Sequence, residues 1–292
     1  MSAHSYPISL GEIADWARAH KTNLHEANTR FMEFVILSCV AANQLLRHKM
    51  VLKGGNGLRF AYQSPRSTKD LDFSVENSAD LSDNKDQLRE VLDRALAPTE
   101  RKFGVKAKCQ RVRRNPASPD ATRPTYDVAV GYQFPNDRYF RNFEGRDVST
   151  VIPLEISFFD LVCGTAPLSL RGEKASQMQV GTLEDIIAEK LRSLLQQPIR
   201  NRNRPQDVYD IARYHRVSGA DLDSAKISDY LKRKSAIRNV TVGKSAFDST
   251  VRDMAAIDYD QHIQDQAGQH FISFDHAWRE VLLLVERLDI PD

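Results

Sequence analysis

The sequence predicts an α+β protein: a front domain over residues 1–175 with a mixed sheet and flanking helices, then a helical back domain over residues 176–292. Three observations predict it. Short β-like stretches alternate with amphipathic helical ones through the first half of the chain. Beyond about residue 182 only helical patterning continues, which places the boundary near residues 165–182. The 292 residues are 41% hydrophobic and 27% charged, enough to bury a core and far from the composition of a disordered chain.

Taken in order, Ser9 and Glu12 have capping-box spacing and open a helix reaching about residue 20. A second helix over residues 24–46 carries the apolar stripe Phe31, Phe34, Val35, Leu37, Ala41 and Leu45. Residues 50–53 read as a short strand broken by Gly54-Gly55, and residues 56–62 as a short helix. Residues 70–75 alternate polar and apolar, as a half-buried strand does. A helix over residues 83–103 presents Leu88, Val91, Leu92 and Leu96 on one face. Three strands follow, at 105–112, 126–134 and 151–159, with a Pro/Ser/Asp-rich loop at 115–124 after the first. Thr182 and Asp185 cap a helix to residue 195, and about four more helices reach residue 288.

Composition excludes several classes. Cys39, Cys109 and Cys163 are too far apart for zinc spacing and too few for a disulfide framework. The eight histidines contain no His-x-x-x-His pair, so a histidine metal site is not expected. The most apolar stretch, residues 34–46, is interrupted by Ser38, Asn43 and Gln44, and nothing resembles a secretory leader. A cytoplasmic protein without a membrane span is expected. The net charge of +2 does not by itself announce a nucleic-acid partner.

The chemistry concentrates in Lys53-Gly-Gly-Asn-Gly-Leu-Arg59 and Lys69-Asp-Leu-Asp-Phe73. Two glycines between a strand and a helix let backbone approach a ligand, and the helix start offers unpaired N–H groups, a cradle for a triphosphate. Asp70 and Asp72, at i and i+2 on a strand, would point the same way. Two such carboxylates repel unless a cation sits between them, and their hard oxygens suit Mg²⁺ or Mn²⁺. Glu155 is the candidate third metal ligand, because Leu154, Ile156 and Phe158 take the apolar face of its strand. A glycine pair or an Asp-x-Asp alone is usually a turn or a solvated strand face. Both in this order around one short helix are far rarer.

These residues resemble the signature of the AbiEii/AbiGii toxins, members of the polymerase-β-like nucleotidyltransferase superfamily. The resemblance rests on Lys53-Gly-Gly-x-x-Leu-Arg59, Arg66-Ser-x-x-Asp-Leu-Asp-Phe73, Glu184-Asp-Ile-Ile-Ala-Glu-Lys190 and Asp207-Val-Tyr-Asp-Ile211, in the family's order. It implies that Gly54, Gly55 and Asn56, with Arg66, Ser67 and Lys69, bind the NTP. It also implies that Asp70 and Asp72 bind the metal, that Lys190 contacts NTP phosphates and that Asp207 is the late catalytic aspartate. One departure stands out: the family commonly has Arg directly before that aspartate, where this chain has Gln206. The residues themselves leave Lys190, on the buried side of its helix, either snorkelling or meeting an anion. Asp207 near a helix start with Pro205 could serve the helix dipole alone.

Two basic runs, Arg101 to Arg114 and Arg200, Arg202 and Arg204, could steer RNA phosphates. Tyr132, Phe134, Tyr139, Phe140 and Phe143, interleaved with Arg138 and Arg141, could stack bases or fill a core. The expected activity is transfer of NMP from an NTP to an RNA acceptor, tRNA by resemblance, with pyrophosphate leaving. The resemblance further implies a winged-helix antitoxin encoded nearby, in a type IV toxin–antitoxin or phage-defence setting. Transfer to a protein or small molecule, or a decayed NTP-binding module, are the alternatives.

Overall fold

The computed structural model describes residues 6–75, 81–118, 125–172 and 177–292. Residues 119–124 of the expected loop, and the expected domain boundary at 175/176, fall outside them. The chain forms two compact units. One comprises Met1–Gln63, Lys69–Asp160 and Ala166–Val180, the other Ser64–Thr68, Leu161–Thr165 and Gly181–Asp292.

The first unit opens with α1 (Ile13–Ala19), α2 (Leu24–Ala42) and α3 (Gln44–Lys49). The single helix expected over 24–46 is two helices, because the Asn43 side chain leaves the helical path and caps α3 by accepting from Leu46 N at 3.1 Å. The capping box expected at Ser9 does not form: Ser9 makes no side-chain cap, and Glu12 accepts from Ile8 N, one residue earlier, at 3.2 Å. Then come β1 (Met50–Lys53), α4 (Gly54–Tyr62), β2 (Leu71–Val75), α5 (Lys85–Leu96) and α6 (Thr99–Phe103). Pro98 separates the last two, where one helix was expected, since proline cannot donate within a helix.

The remaining strands are β3 (Lys106–Asn115), β4 (Thr125–Gln133), β5 (Val151–Ser157), β6 (Thr165–Ser169) and β7 (Gln177–Gly181). Among the described residues they form one mixed sheet in the order β3-β4-β5-β2-β1-β7-β6. β2 runs antiparallel to β1 and parallel to β5, and β4 runs antiparallel to β3 and β5. β6 and β7 were not anticipated. They are short, and β7 pairs parallel with β1 across more than a hundred residues of sequence. One sheet face is apolar: Leu52, Phe73, Ile156 and Tyr126 lie opposite one another in register and are buried. With α2 and α5 they belong to one core cluster.

The second unit contains α7 (Leu183–Leu195), α8 (Gln197–Arg200), α9 (Pro205–Ser218), α10 (Ser224–Arg238), α11 (Ser249–Ala256), α12 (Tyr259–Ala267) and α13 (Phe274–Glu286). Thr182, Asp223 and Asp248 cap α7, α10 and α11 with their side chains, so the sequence marks each start chemically. α7 packs on α9 and α10, and α13 and α12 pack on α9. Among the described residues, no helix is long and apolar enough to cross a membrane.

Inside α2 lies a fully buried ion pair. Arg30 and Glu33 are both 0% exposed and meet at 2.6 Å. Burial raises the Glu33 pKa, against the opposing pull of Arg30 and Arg59. Arg30→Met would leave that carboxylate with less compensation. It should cost about 3–5 kcal/mol, read as a lower urea midpoint with an unchanged slope.

Candidate functional site

The candidate site grows from strand register. Lys53 on β1 lies opposite Asp72 on β2, Asp72 opposite Glu155 on β5, and Glu155 opposite Asp127 on β4. Asp127 in turn lies opposite Arg113 on β3. Residues opposite one another across strands share a face, so these five form one row on the face opposite the apolar one. The row reads plus, minus, minus, minus, plus. The three carboxylates and Lys53 are half-buried, and Arg113 is exposed.

Neighbouring strands lie about 4.8 Å apart, so like charges directly opposite one another destabilise the ladder. One described contact offsets part of this: Asn115 Nδ2 donates to Asp127 Oδ2 at 3.0 Å. Lys53 Nζ pairs with Asp160, a carboxylate outside the row. Asp127 and Asp160 escaped the sequence reading. Asp127 was legible as a charge interrupting the apolar run 126–130 on an alternating strand. Asp160 carried no periodic signal, because it follows β5.

Gly54 opens α4 directly beside this row. Its φ is +63°, and a Cβ built on it would lie 1.9 Å from Asp72 Oδ2. The carboxylate therefore rests against bare backbone, and no larger residue fits in either conformation or space. The α4 N-cap, Lys53, contributes no side-chain cap, so first-turn N–H groups beside the carboxylate row receive no help from it.

Asp70 lies just before β2 and is exposed, rather than on the strand as expected. Its carbonyl is held by Asn56 Nδ2 at 2.8 Å, and the same amide lies 3.4 Å from Glu33 Oε1. Asn56 is 0% exposed. This geometry makes it a residue that positions Asp70, where direct contact with a triphosphate was expected. Among the described residues, no group of three or more His, Cys, Asp or Glu is arranged to hold a metal ion. The expected three-carboxylate group of Asp70, Asp72 and Glu155 is thus not assembled as such. Asp72 and Glu155 are brought together by register, while Asp70 sits at the strand entrance. Two adjacent carboxylates still fit a hard divalent cation, because Mg²⁺ commonly takes one or two carboxylates and completes its shell with substrate phosphates and water.

The second unit gathers the other predicted residues. Lys190 on α7 pairs with Asp207 at 2.7 Å and Asp210 at 2.9 Å, both on α9. Arg66 grips Asp210 with two bonds, at 2.9 and 2.8 Å, and donates to Gln266 Oε1 at 2.8 Å. Ser67 N donates to Gln266 O at 2.9 Å. Arg66, Lys190, Asp207 and Asp210 are all buried, two cations closed upon two anions. Burial disfavours the Lys190 ammonium, and Asp207 and Asp210 overcome it to raise the pKa. Burial would push Asp210 up, but Arg66 and Lys190 outweigh it and hold the carboxyl at about 2. Lys69, in the first unit, is exposed.

A family model described as the nucleotidyl transferase AbiEii toxin of a type IV TA system matches residues 35–282. No curated protein matches the sequence. Similar solved structures include the following three. A candidate nucleotidyltransferase from Helicobacter pylori is 16% identical, with 90% of this chain and 93% of that one covered, at a TM-score of 0.51. JHP933 from Helicobacter pylori is 15% identical, with 90% of each chain covered, at a TM-score of 0.50. MenT4, a nucleotidyltransferase toxin from Mycobacterium tuberculosis H37Rv, is 14% identical, with 94% and 98% covered, at 0.46.

Two outcomes follow from this geometry. Gly54→Ala should fold with a displaced Asp72 or not fold at all, so Mn²⁺ binding followed by electron spin resonance should be lost in any soluble variant. Asp210→Asn should lower stability at pH 7. The folded pKa lies below the unfolded value, so the contribution is present above about pH 4 and lost as pH falls toward about 2. Urea midpoints of wild type and variant should therefore converge on acidification.

Proposed function

We propose how this protein, which belongs to the AbiEii nucleotidyltransferase toxin family of type IV toxin–antitoxin systems, performs its reaction and on what. It is a nucleotidyltransferase, and its family pairs it with an NTP substrate and an antitoxin. The proposed reaction is transfer of NMP to the hydroxyl of an RNA, with tRNA as the favoured acceptor, in the cytoplasm. The antitoxin is proposed to be a winged-helix protein encoded nearby.

The observation that carries the proposal is the register of Asp72 with Glu155 beside the glycine-opened start of α4. The backbone N–H groups of Gly54 and Gly55 would receive the triphosphate. Asp72 and Glu155 would hold Mg²⁺ or Mn²⁺, with Asp70 at the entrance of β2 as a further oxygen donor. When bound, such a cation would offset phosphate charge and lower the pKa of a bound hydroxyl. The acceptor oxygen bonds to the α-phosphorus as the bond to the β-phosphate bridge breaks, and pyrophosphate leaves. Glu155 would take the acceptor's proton. Lys53, steered by Asp160, balances the negative row from one end. Lys190, Arg66 and Asp207 would support the reaction by fixing the chain ahead of Lys69, since their charges are consumed by one another.

The test is incubation with each α-³²P-labelled NTP, Mg²⁺ and total tRNA. Wild type should label RNA with one nucleotide preferred, and Asp72→Asn should reduce labelling at least about 100-fold. Label on protein or on a small molecule would move the acceptor. No label from any of the four nucleotides, with Mg²⁺ or Mn²⁺, would sink the proposal.

A further inference from the structure

We infer that Arg200, Arg202 and Arg204 form the surface on which the second unit holds the sugar–phosphate strand of an RNA. The inference rests on the RNA-acceptor reading above and says which of the two basic runs meets that strand.

Charge in the second unit is segregated along the sequence. Residues 190–206 include Lys190, Arg192, Arg200, Arg202 and Arg204 and no carboxylate. Residues 230–247 include Lys232, Arg233, Lys234, Arg238 and Lys244, again with no carboxylate. α10, which ends at Arg238, packs against α7, which carries Arg192. Several of these cations are answered inside the unit: Lys190 by Asp207, Arg192 by Glu189, Lys234 by Asp185, Arg233 by Asp229 and Lys232 by Asp289. Arg200, Arg202 and Arg204 form no such pair among the described residues. The Arg200 pKa is lowered by partial burial first, then by Arg238, Arg192, Arg204 and Arg202, so its charge sits among like charges. An anion is what this cluster lacks.

The segment is also built rather than loose. Gln197 is 1% exposed, and its side chain donates to Val251 O at 3.1 Å while accepting from Arg204 N at 2.7 Å. Arg202 N donates to Gln197 O at 3.3 Å. Asn201 turns the chain through the left-handed region, and Pro205 starts α9. The backbone is held at both ends while Arg200 and Arg202 are exposed and Arg204 is half-buried.

Residue type narrows the ligand. Arginine forks match phosphate oxygens in pairs, and a surface made only for general positive charge would not require them at every cationic position. Asn201 and Asn203 alternate with them and offer amide donors and acceptors suited to ribose hydroxyls and base edges. Ile199, 65% exposed, adds an apolar neighbour for a base. Several cations of the other basic run are already engaged. Lys106 pairs with Glu100 at 3.6 Å, Lys108 donates to the carbonyls of Phe143 and Glu144, and Arg114 donates to Ser118 O. Arg113 ends the carboxylate row.

The test measures binding, separately from catalysis. Fluorescein-labelled tRNA transcript is titrated with the full-length protein by anisotropy across a NaCl series. Arg200→Gln/Arg202→Gln/Arg204→Gln should bind at least about tenfold more weakly, with a log–log salt slope shallower by about 2. The triple Lys variant should restore the slope but not the full affinity. Arg101→Gln/Arg111→Gln should behave as wild type. Thermal melting establishes that each variant is folded, and the single exposed Arg202→Gln carries a smaller loss if the triple is not. A folded triple Gln variant with wild-type affinity and slope would overturn the inference, even while wild type still labels RNA. Wild type that neither binds nor labels RNA would overturn the RNA-acceptor reading itself. Equal competition by polyglutamate would overturn the choice of RNA over an acidic protein.

Discussion

Three carboxylates stand in register on neighbouring strands, and the candidate site of the first unit is built on that row. Asp72, Glu155 and Asp127 occupy one row, bounded by Lys53 and Arg113. Sheets normally avoid like charges directly opposite one another, because each such pair destabilises the ladder. Here the apolar face beneath supplies the compensation. Leu71, Phe73, Leu154, Ile156 and Val128 are buried, and each extra apolar side chain removed from water contributes about 1.5–3 kcal/mol. The row's pleat leaves Gly54 no room for a side chain. A site that binds polyphosphate and cation together gains from this arrangement, since ligand binding relieves repulsion already built into the protein.

The second unit solves the opposite problem. Its four buried charges, Arg66, Lys190, Asp207 and Asp210, need no ligand, because each faces an opposite partner within hydrogen-bond distance. Burying charges singly would be prohibitive, whereas removing one member of a closed set exposes the rest to the same penalty. That cooperativity fastens segment 64–68 to α9.

Much of this was legible in sequence, for identifiable reasons. The Gly-Gly turn, the acidic strand and Glu155 announce themselves because strand periodicity converts position into face. The mixed sheet followed by helices was legible from the change in periodicity. The helix breaks at Asn43 and Pro98 were present as residue types, yet an apolar stripe running through both positions outweighed them. β6 and β7 are short, and long-range pairing supports β7. Register is what no local pattern contains. Nothing around Asp127 says that it will lie beside Glu155, and nothing around Lys190 says that Asp210 will share its ammonium. In this structure Lys190 and Arg66 both meet acids from α9 that sequence spacing could not place.

A net charge of +2 conceals both arrangements, because it sums over clusters of opposite sign. The carboxylate row and the arginine segment are each an excess of one sign held on firm backbone, the first by strand pairing and the second by a buried glutamine. Preorganised excess charge of this kind is costly without its counter-charge, and a ligand of opposite sign binds without first having to rearrange it. In the proposed reaction a cation with its nucleotide would answer the first, and the phosphate backbone of the RNA acceptor the second. The two halves of a nucleotidyl transfer, donor and acceptor, are in this view recognised by opposite electrostatic deficits. Each deficit is then separable: neutralising the arginines should change affinity for the acceptor and leave the donor's affinity intact, because no residue is common to both clusters.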